Sequence, residues 1–534
     1  MRDLVRMEHA VVFGAGLAGL LTARVLADRY ERVTIVERDR LTEGPRRGVP
    51  QGRHAHALLP RGQQIIEELF PGLTGELVAA GAVPYRPLEE ARMVLGGQRM
   101  CRAEMPDRGL ALTRPFLEDH VRRRLLALPA VELLDGWDAI GPLFTADRTG
   151  SPTSTTHHPT VTDPTTTLPT RPAASPTTAT PADPATTTPP GTSASGTSAQ
   201  SFGRTGPATS PTATTPPGTS TSGTTAQSSG RTGPTTRVNA VVTGARIGRQ
   251  GEERTLPADL LVDAMGRAGR AATWLTEAGL ERPPVEEVEV NVGYGTCYLT
   301  LPQDALGGDF LVLIGCTPAN PRGMALFRVE GERWILSAGG MCGDHPPTDP
   351  AAFLDYVATI VPPSMPDVLP ALRAARLPDE ILPARFPKAV RRRFDRLRRP
   401  PRGLIAVGDA TCSVDPLYGQ GMSAAALQAI ALRDTLAQGR DDLERRYFRA
   451  AMRATDPVWQ LALQADLAFP GVPGEPPLLS RMIGRYVARV QRAATRDPSC
   501  AIAFARVVGL VDPPSALMRP AVLRLAAKHG SPSD

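Results

Sequence analysis

Lysine is almost absent from this chain of 534 residues: only Lys388 and Lys528 occur, so nearly all the positive charge is arginine. Aromatic residues amount to 5%, and the six cysteines (Cys101, Cys297, Cys316, Cys342, Cys412, Cys500) are scattered without CxxC spacing. That scatter argues against a zinc site and against a disulfide framework, so the cysteines are expected to be reduced and mostly packed. No apolar run has the length of a bilayer span, and no signal-peptide pattern precedes the first apolar segment. A cytoplasmic protein without an integral membrane segment is the expectation. The formal charge of +6 is not gathered with aromatic residues into a nucleic-acid-binding module, so no nucleic-acid partner is expected. The length suffices for a large core and for two or more domains.

Two stretches far apart carry the strongest pattern. The first, VVFGAGLAGLLTARVLA (residues 11–27), reads as a strand, a tight turn over Gly14-Ala15-Gly16-Leu17-Ala18-Gly19, and a helix. Glycines in such a turn let the backbone approach a pyrophosphate at the helix start, where free N–H groups and the helix dipole favour negative charge. A second strand over 32–36 then delivers Glu37, whose carboxylate suits an adenosine ribose, with Arg38 beside it as a further cofactor-binding candidate. The other stretch, GLIAVGDATCSVDPLYGQGMSAAALQA (403–429), is an apolar strand running into Gly408 and Asp409. Asp415, Pro416, Gly419, Gly421 and Met422 follow, leading into an Ala-rich helix. An acid there suits a sugar-alcohol chain. Glycines exposing N–H groups at a helix start suit a flavin ring that becomes anionic on reduction.

Between these stretches the character changes several times. The loop GVPQGRHAH (48–56) puts Arg53, His54 and His56 together ahead of a helix over 61–70, and two histidines at i and i+2 are a poor metal signal. No metal is expected. Thr113-Arg114-Pro115 opens a helical pattern over 112–128. From 147 to 236 the composition collapses to Thr, Pro, Ser, Gly and Ala, with TPPGTSASGTSAQSFGRTGP recurring as TPPGTSTSGTTAQSSGRTGP. Too few apolar side chains are present to offset the entropy of ordering, so this tract reads as a disordered loop insertion. It lies between two strand-like segments, 131–144 and 238–247, that a short turn would otherwise join. A strand over 260–262 then ends at Asp263, and 285–399 consists of short alternating strand runs. Tyr294, Tyr298, Phe327 and Trp334 are candidates to line a wall there. The pattern after Ala424 is helical, and 479–528 mixes arginines with apolar residues at helical spacing. That mixture permits a helix lying on a membrane surface, although packing against the body is favoured.

On its two glycine-bearing stretches the chain resembles the flavin-dependent monooxygenases of the para-hydroxybenzoate hydroxylase type. Its GVPQGRHAH loop resembles that of bacterial polyether epoxidases and their uncharacterised relatives. The resemblance implies an α/β fold, with a Rossmann-type FAD-binding domain (1–146, 237–284 and 400–440), a β-sheet substrate domain (285–399) and a helical C-terminal region (441–534). It implies FAD as cofactor and NAD(P)H as co-substrate. It also implies Arg53 beside the flavin, Arg114 at the FAD diphosphate, and Asp263 near FAD and the incoming nicotinamide, although the segment LVDAMGRAGR lacks the family's Asp-x-Asp-Gly form. In such enzymes NAD(P)H reduces FAD, oxygen adds at the flavin C4a, and the hydroperoxide passes its distal oxygen to the substrate. An alkene yields an epoxide and an activated ring a phenol. Arg53 and His54 are the candidates to stabilise flavin or peroxide charge, and a small apolar or aromatic substrate is implied. Flavin halogenases share both nucleotide motifs but depend on a lysine about a quarter of the way along, and commonly on a Trp-x-Trp segment. Neither occurs here. An isoprenoid double-bond reductase of the same fold, and a flavin-binding protein without turnover, are the remaining readings.

Overall fold

The computed structural model describes residues 7–42, 44, 50–147, 239–302 and 304–530. The described residues gather into one compact unit. Nearly all of the tract read as disordered lies outside them.

Five parallel strands form the nucleotide-binding layer, in the spatial order Leu404–Ala406, Leu260–Asp263, Met7–Phe13, Tyr30–Glu37, Val131–Asp135. All but the edge strand Val131–Asp135 are apolar along most of their length and buried on both faces, as a parallel sheet covered by helices requires. Register aligns their C-terminal ends: Phe13 lies opposite Asp263, and Asp263 opposite Ala406. Gly14, Ala264 and Val407 therefore leave the sheet side by side, and the two glycine-bearing corners share one edge. In open α/β sheets that edge is where ligands bind.

The segment 131–144 reads as one strand in sequence but is two. Gly136, at φ +72°, breaks it into Val131–Asp135, in the parallel sheet, and Asp138–Asp147, in a separate three-stranded sheet. Asp138–Asp147 pairs antiparallel with Asn239–Arg249, and Asp147 stands directly opposite Asn239. The expected pair of strands flanking the insertion is thus present, and its two ends meet in register.

The second large layer has eight strands, in the order Cys412–Ser413, Leu382–Arg392, Val285–Leu299, Arg333–Gly340, Arg322–Val329, Leu311–Ile314, Ala91–Leu95, Gln98–Arg99. The last two come from the first hundred residues, and Ala91–Leu95 pairs in parallel with Leu311–Ile314. Alternation along the strands divides this sheet into two faces. Trp334 and Cys297 pack with Phe353 of the helix Pro350–Ala358 and Leu372 of the helix Val368–Ala374. Tyr294, Thr296 and Tyr298 occupy the other face. Trp334, expected as a wall candidate, is 1% exposed on the face that packs against these helices, and Phe327 is 3% exposed in the core behind Tyr298. Both belong to buried apolar clusters. The C-terminal chain is helical, and its first helix, Gly421–Leu436, lies against Leu17–Ala27.

Candidate active site

The first corner needs glycine for steric reasons. Gly14 has φ +105°, and a Cβ there would sit 2.6 Å from the carbonyl oxygen of Ala264 on the neighbouring strand. A Cβ on Gly19 would fall 1.9 Å from the Gly14 carbonyl oxygen, so the helix enters directly over the turn. The second corner is folded onto this helix: Gly408, at φ +64°, leaves room for Ala18, whose Cβ would stand 2.7 Å from a side chain there. Its N–H donates to Gln428 Oε1 at 2.9 Å, an oxygen that also accepts from the Thr411 hydroxyl at 3.0 Å. Two segments almost four hundred residues apart thus form one rim.

Charges are arranged along that rim. Glu37, buried, accepts from the Ala15 N–H at 2.9 Å and the Asp39 N–H at 3.1 Å, while Arg38 is exposed. Leu17, the first residue of the helix, donates its N–H to Glu118 Oε1 at 3.0 Å, and Arg114 Nε donates to the same oxygen at 2.8 Å. Arg114 is thus linked to the start of Leu17–Ala27 through a buried carboxylate that sequence reasoning missed. Asp409 is pushed above the ordinary carboxylate range by burial, opposed by the guanidinium groups of Arg114, Arg267 and Arg392. A half-buried acid facing three arginines can accept hydroxyl donors without losing its counter-charges. Asp263 is fully buried, and its two oxygens accept from the N–H groups of Met265 (3.2 Å) and Ala271 (2.6 Å), which shapes the turn after its strand.

The loop before the second helix runs across the other face of the eight-stranded sheet. His54 is 4% exposed; its Nδ1 lies 2.8 Å from the Thr296 hydroxyl, which is 2.8 Å from the Ser337 hydroxyl. Its ring stands edge-on to Tyr294, with centroids 4.8 Å apart. Burial first, and Arg53 second, push His54 down to about 4, so the ring is neutral near pH 7. His56 sits with its Nδ1 2.9 Å from the His54 carbonyl and is likewise pushed down to about 4, by burial and then Arg114. Arg53 is exposed, and its carbonyl accepts from the Tyr298 hydroxyl at 3.3 Å. Among the described residues no group of three His, Cys, Asp or Glu side chains could hold a metal ion.

Residues 415–423 carry the features that bear most directly on a flavin. Pro416 starts a short turn whose Asp415 Oδ1 accepts from the Leu417 N–H at 2.8 Å, and Gly419 closes it at φ +66°. Built Cβ atoms on Gly419 and Gly421 meet nothing within 4 Å, so open space lies over both. Met422 is buried behind them. Asp415 Oδ2, Gln420 Oε1 and Ser423 Oγ are buried without a hydrogen-bond partner. Polar atoms rarely stay so unless a ligand or water completes them. The Tyr418 hydroxyl donates to Asp466 Oδ1 at 2.6 Å, and Asp466 Oδ2 also lacks a partner. Burial pushes Asp466 up to about 7, while burial and the Asp466 charge hold Asp415 well above the carboxylate range. Asp466 carried no sequence signal, since it lies 48 positions from Tyr418. Free amides on a glycine-bearing helix start, unsatisfied buried oxygens and open space above the glycines fit an FAD ring system, and the first corner fits its diphosphate.

Solved structures share this architecture. A flavoprotein/dehydrogenase from Cytophaga hutchinsonii matches with a TM-score of 0.57 at 13% identity, over 98% of this chain and 98% of that one. PqsL, a probable FAD-dependent monooxygenase from Pseudomonas aeruginosa, matches with a TM-score of 0.51 at 15% identity, over 86% of this chain and 97% of that one. At such identities the likeness establishes the fold alone: an α/β protein with a Rossmann-type parallel sheet. No family model matches the chain. Protein Rv3254 of Mycobacterium tuberculosis (strain ATCC 25618 / H37Rv) is 30% identical over 522 residues, which are 95% of this chain and 90% of that protein, and this chain belongs to the same family.

Proposed function

We propose that the chain is an FAD-dependent monooxygenase that uses NAD(P)H and O2 to insert one oxygen atom into a small apolar substrate, with epoxidation of an alkene or polyene in secondary metabolism as the reaction. The observation that carries this reading is the meeting of the two glycine-bearing corners on one sheet edge, with open space over Gly421 beside unsatisfied buried oxygens. Bound FAD supplies the chemistry, namely acceptance of hydride from NAD(P)H and activation of oxygen.

The chain's own residues bind, orient and exclude water. The glycine turn leading into Leu17–Ala27, with Arg114 beside it, would hold a diphosphate, Glu37 would accept from the ribose, and Asp409 would accept from the sugar-alcohol chain. Backbone N–H groups at the helix start at Gly421, under open space, would stabilise the negative charge a flavin ring gains on reduction. Tyr294 and the neutral His54, fixed by Thr296, furnish a dry wall that holds the acceptor carbon in place. Arg53, whose charge acts on His54, supplies positive charge beside that wall. No side chain is required as an obligatory general base. The first lysine, Lys388, pairs with Glu287 at 2.6 Å between two strands of the large sheet, which argues against a halogenase reading.

The test is to purify the protein, record its flavin spectrum, and measure NAD(P)H oxidation and peroxide release with and without a polyene. Stimulated oxidation with an oxygenated product supports the proposal. Anaerobic turnover that saturates the double bond would replace it with a reductase. Substituting Arg53→Ala is expected to slow flavin reoxidation and lower product yield; unchanged values remove Arg53 from the site.

A further inference from the structure

The helix Leu478–Ala493 is half inside the protein and half outside it. Its apolar stripe runs through Leu479, Met482, Ile483, Tyr486, Val487 and Val490 at helical spacing. The C-terminal part of this stripe is core, with Val490 at 0% exposure beside Cys500 and Val522. The N-terminal part continues the same stripe into solvent: Leu478 is 76% exposed, Leu479 67%, Met482 67% and Ile483 38%. The helix Pro520–His529 packs against this one, and the exposed Leu523 and nearby Met518 extend the apolar area.

Charge surrounds that area with one sign. Leu478–Ala493 carries Arg481, Arg485, Arg489 and Arg492 and no acid; Pro520–His529 adds Arg524 and Lys528, again with no acid. The nearby counter-charge, Glu475, meets Arg481 at 3.1 Å with both side chains largely in water, so it neutralises little. An apolar stripe bordered by arginines, whose stems can lie along it while their heads reach outward, has the chemistry of a helix seated at a lipid headgroup boundary. A second copy of the chain would bring the same cationic border against itself, which opposes self-association through this face.

We propose that the projecting half of Leu478–Ala493, with Met518 and Leu523, docks on an anionic phospholipid surface. The proposal stands independently of the flavin chemistry. Among the described residues no helix is long and apolar enough to cross a membrane, so the contact is one of lying on the surface. The test uses the full-length protein and sedimentation with vesicles of 7:3 phosphatidylcholine and phosphatidylglycerol, against vesicles of phosphatidylcholine alone. Binding is expected only to the anionic vesicles and is lost at high salt. Arg481→Gln and Arg485→Gln should each weaken it about fivefold. The pair Leu479→Glu with Met482→Glu should weaken it at least about tenfold while leaving the melting temperature unchanged, because both side chains already face water. Equal binding to the two vesicle types, or undiminished binding by the glutamate pair, overturns the proposal. So does a wild-type dimer without vesicle binding that the glutamate pair converts to a monomer.

Discussion

Replacing Gly421 by alanine separates a cofactor role from a structural one. The residue opens a helix, its φ lies outside the left-handed region, and a built Cβ meets nothing within 4 Å. Alanine therefore brings no strain to the protein itself. It removes backbone freedom from the unfolded chain, a gain of ~0.5–1 kcal/mol in a helix. Cofactor-free Gly421→Ala is thus expected to melt roughly 0.5–1 °C above the wild type. With FAD the sign reverses, because the added methyl stands where a ring must approach the backbone. Overpacking of one methyl against a rigid partner costs ~1–3 kcal/mol, which corresponds to roughly 5- to 150-fold weaker FAD binding. The assay strips the flavin, records both melting curves, and then titrates FAD while following quenching of its fluorescence. Wild-type affinity in the variant would show that the space over Gly421 does not belong to the cofactor, and the reasoning built on it would fail.

Three further outcomes follow from the geometry. A buried Asp466 that titrates near 7 keeps its proton when the unfolded chain has lost it, so its contribution to stability is present below the ordinary carboxylate range and is lost as pH rises towards 7. Asp466→Asn removes that loss and should gain on the wild type by up to about 4 kcal/mol between pH 4 and pH 8, at ~1.36 kcal/mol per unit; melting temperatures that differ by the same amount at both pH values refute it. His54 has the opposite sign. Its lowered value means that the unfolded state binds the proton first, so stability is lost as pH falls from 6.5 towards 4, and His54→Gln should flatten that part of the melting profile. Finally, joining Asp147 to Asn239 through a two-residue Asn-Gly turn, with 148–238 deleted, should leave flavin binding intact and the melting temperature equal or higher, since the ends already meet in register. Loss of flavin on deletion would give the insertion a role in the fold.

Local pattern made the nucleotide-binding layer legible. The apolar runs at 11–13, 260–262 and 404–407 became neighbouring parallel strands, and the glycines after the first and last of them became the two corners. Within one stretch, residues the sequence singles out do fall together: Glu37 meets the Ala15 N–H, 22 positions away. It was not legible where partners come from distant parts of the chain. Glu118 reaches Leu17 across 101 positions, and His54 finds Thr296 across 242. Nothing in either neighbourhood marks those meetings. Alternation on the strands revealed that Tyr298 and Trp334 belong to two-faced elements, but which face meets the helices is decided by packing. That is why Trp334 turned out to be core while Tyr298 sits at the loop.

The eight-stranded sheet has a topological consequence. Its penultimate strand, Ala91–Leu95, is lent by the opening portion of the polypeptide and locked there by Arg92, which binds Asp309 at 2.7 Å and Asp367 at 2.6 Å. Fragments made by severing the backbone between 148 and 238 would each own an unfinished sheet, so neither is a free-standing module. They should instead stay clasped after a protease nick and copurify as a working pair.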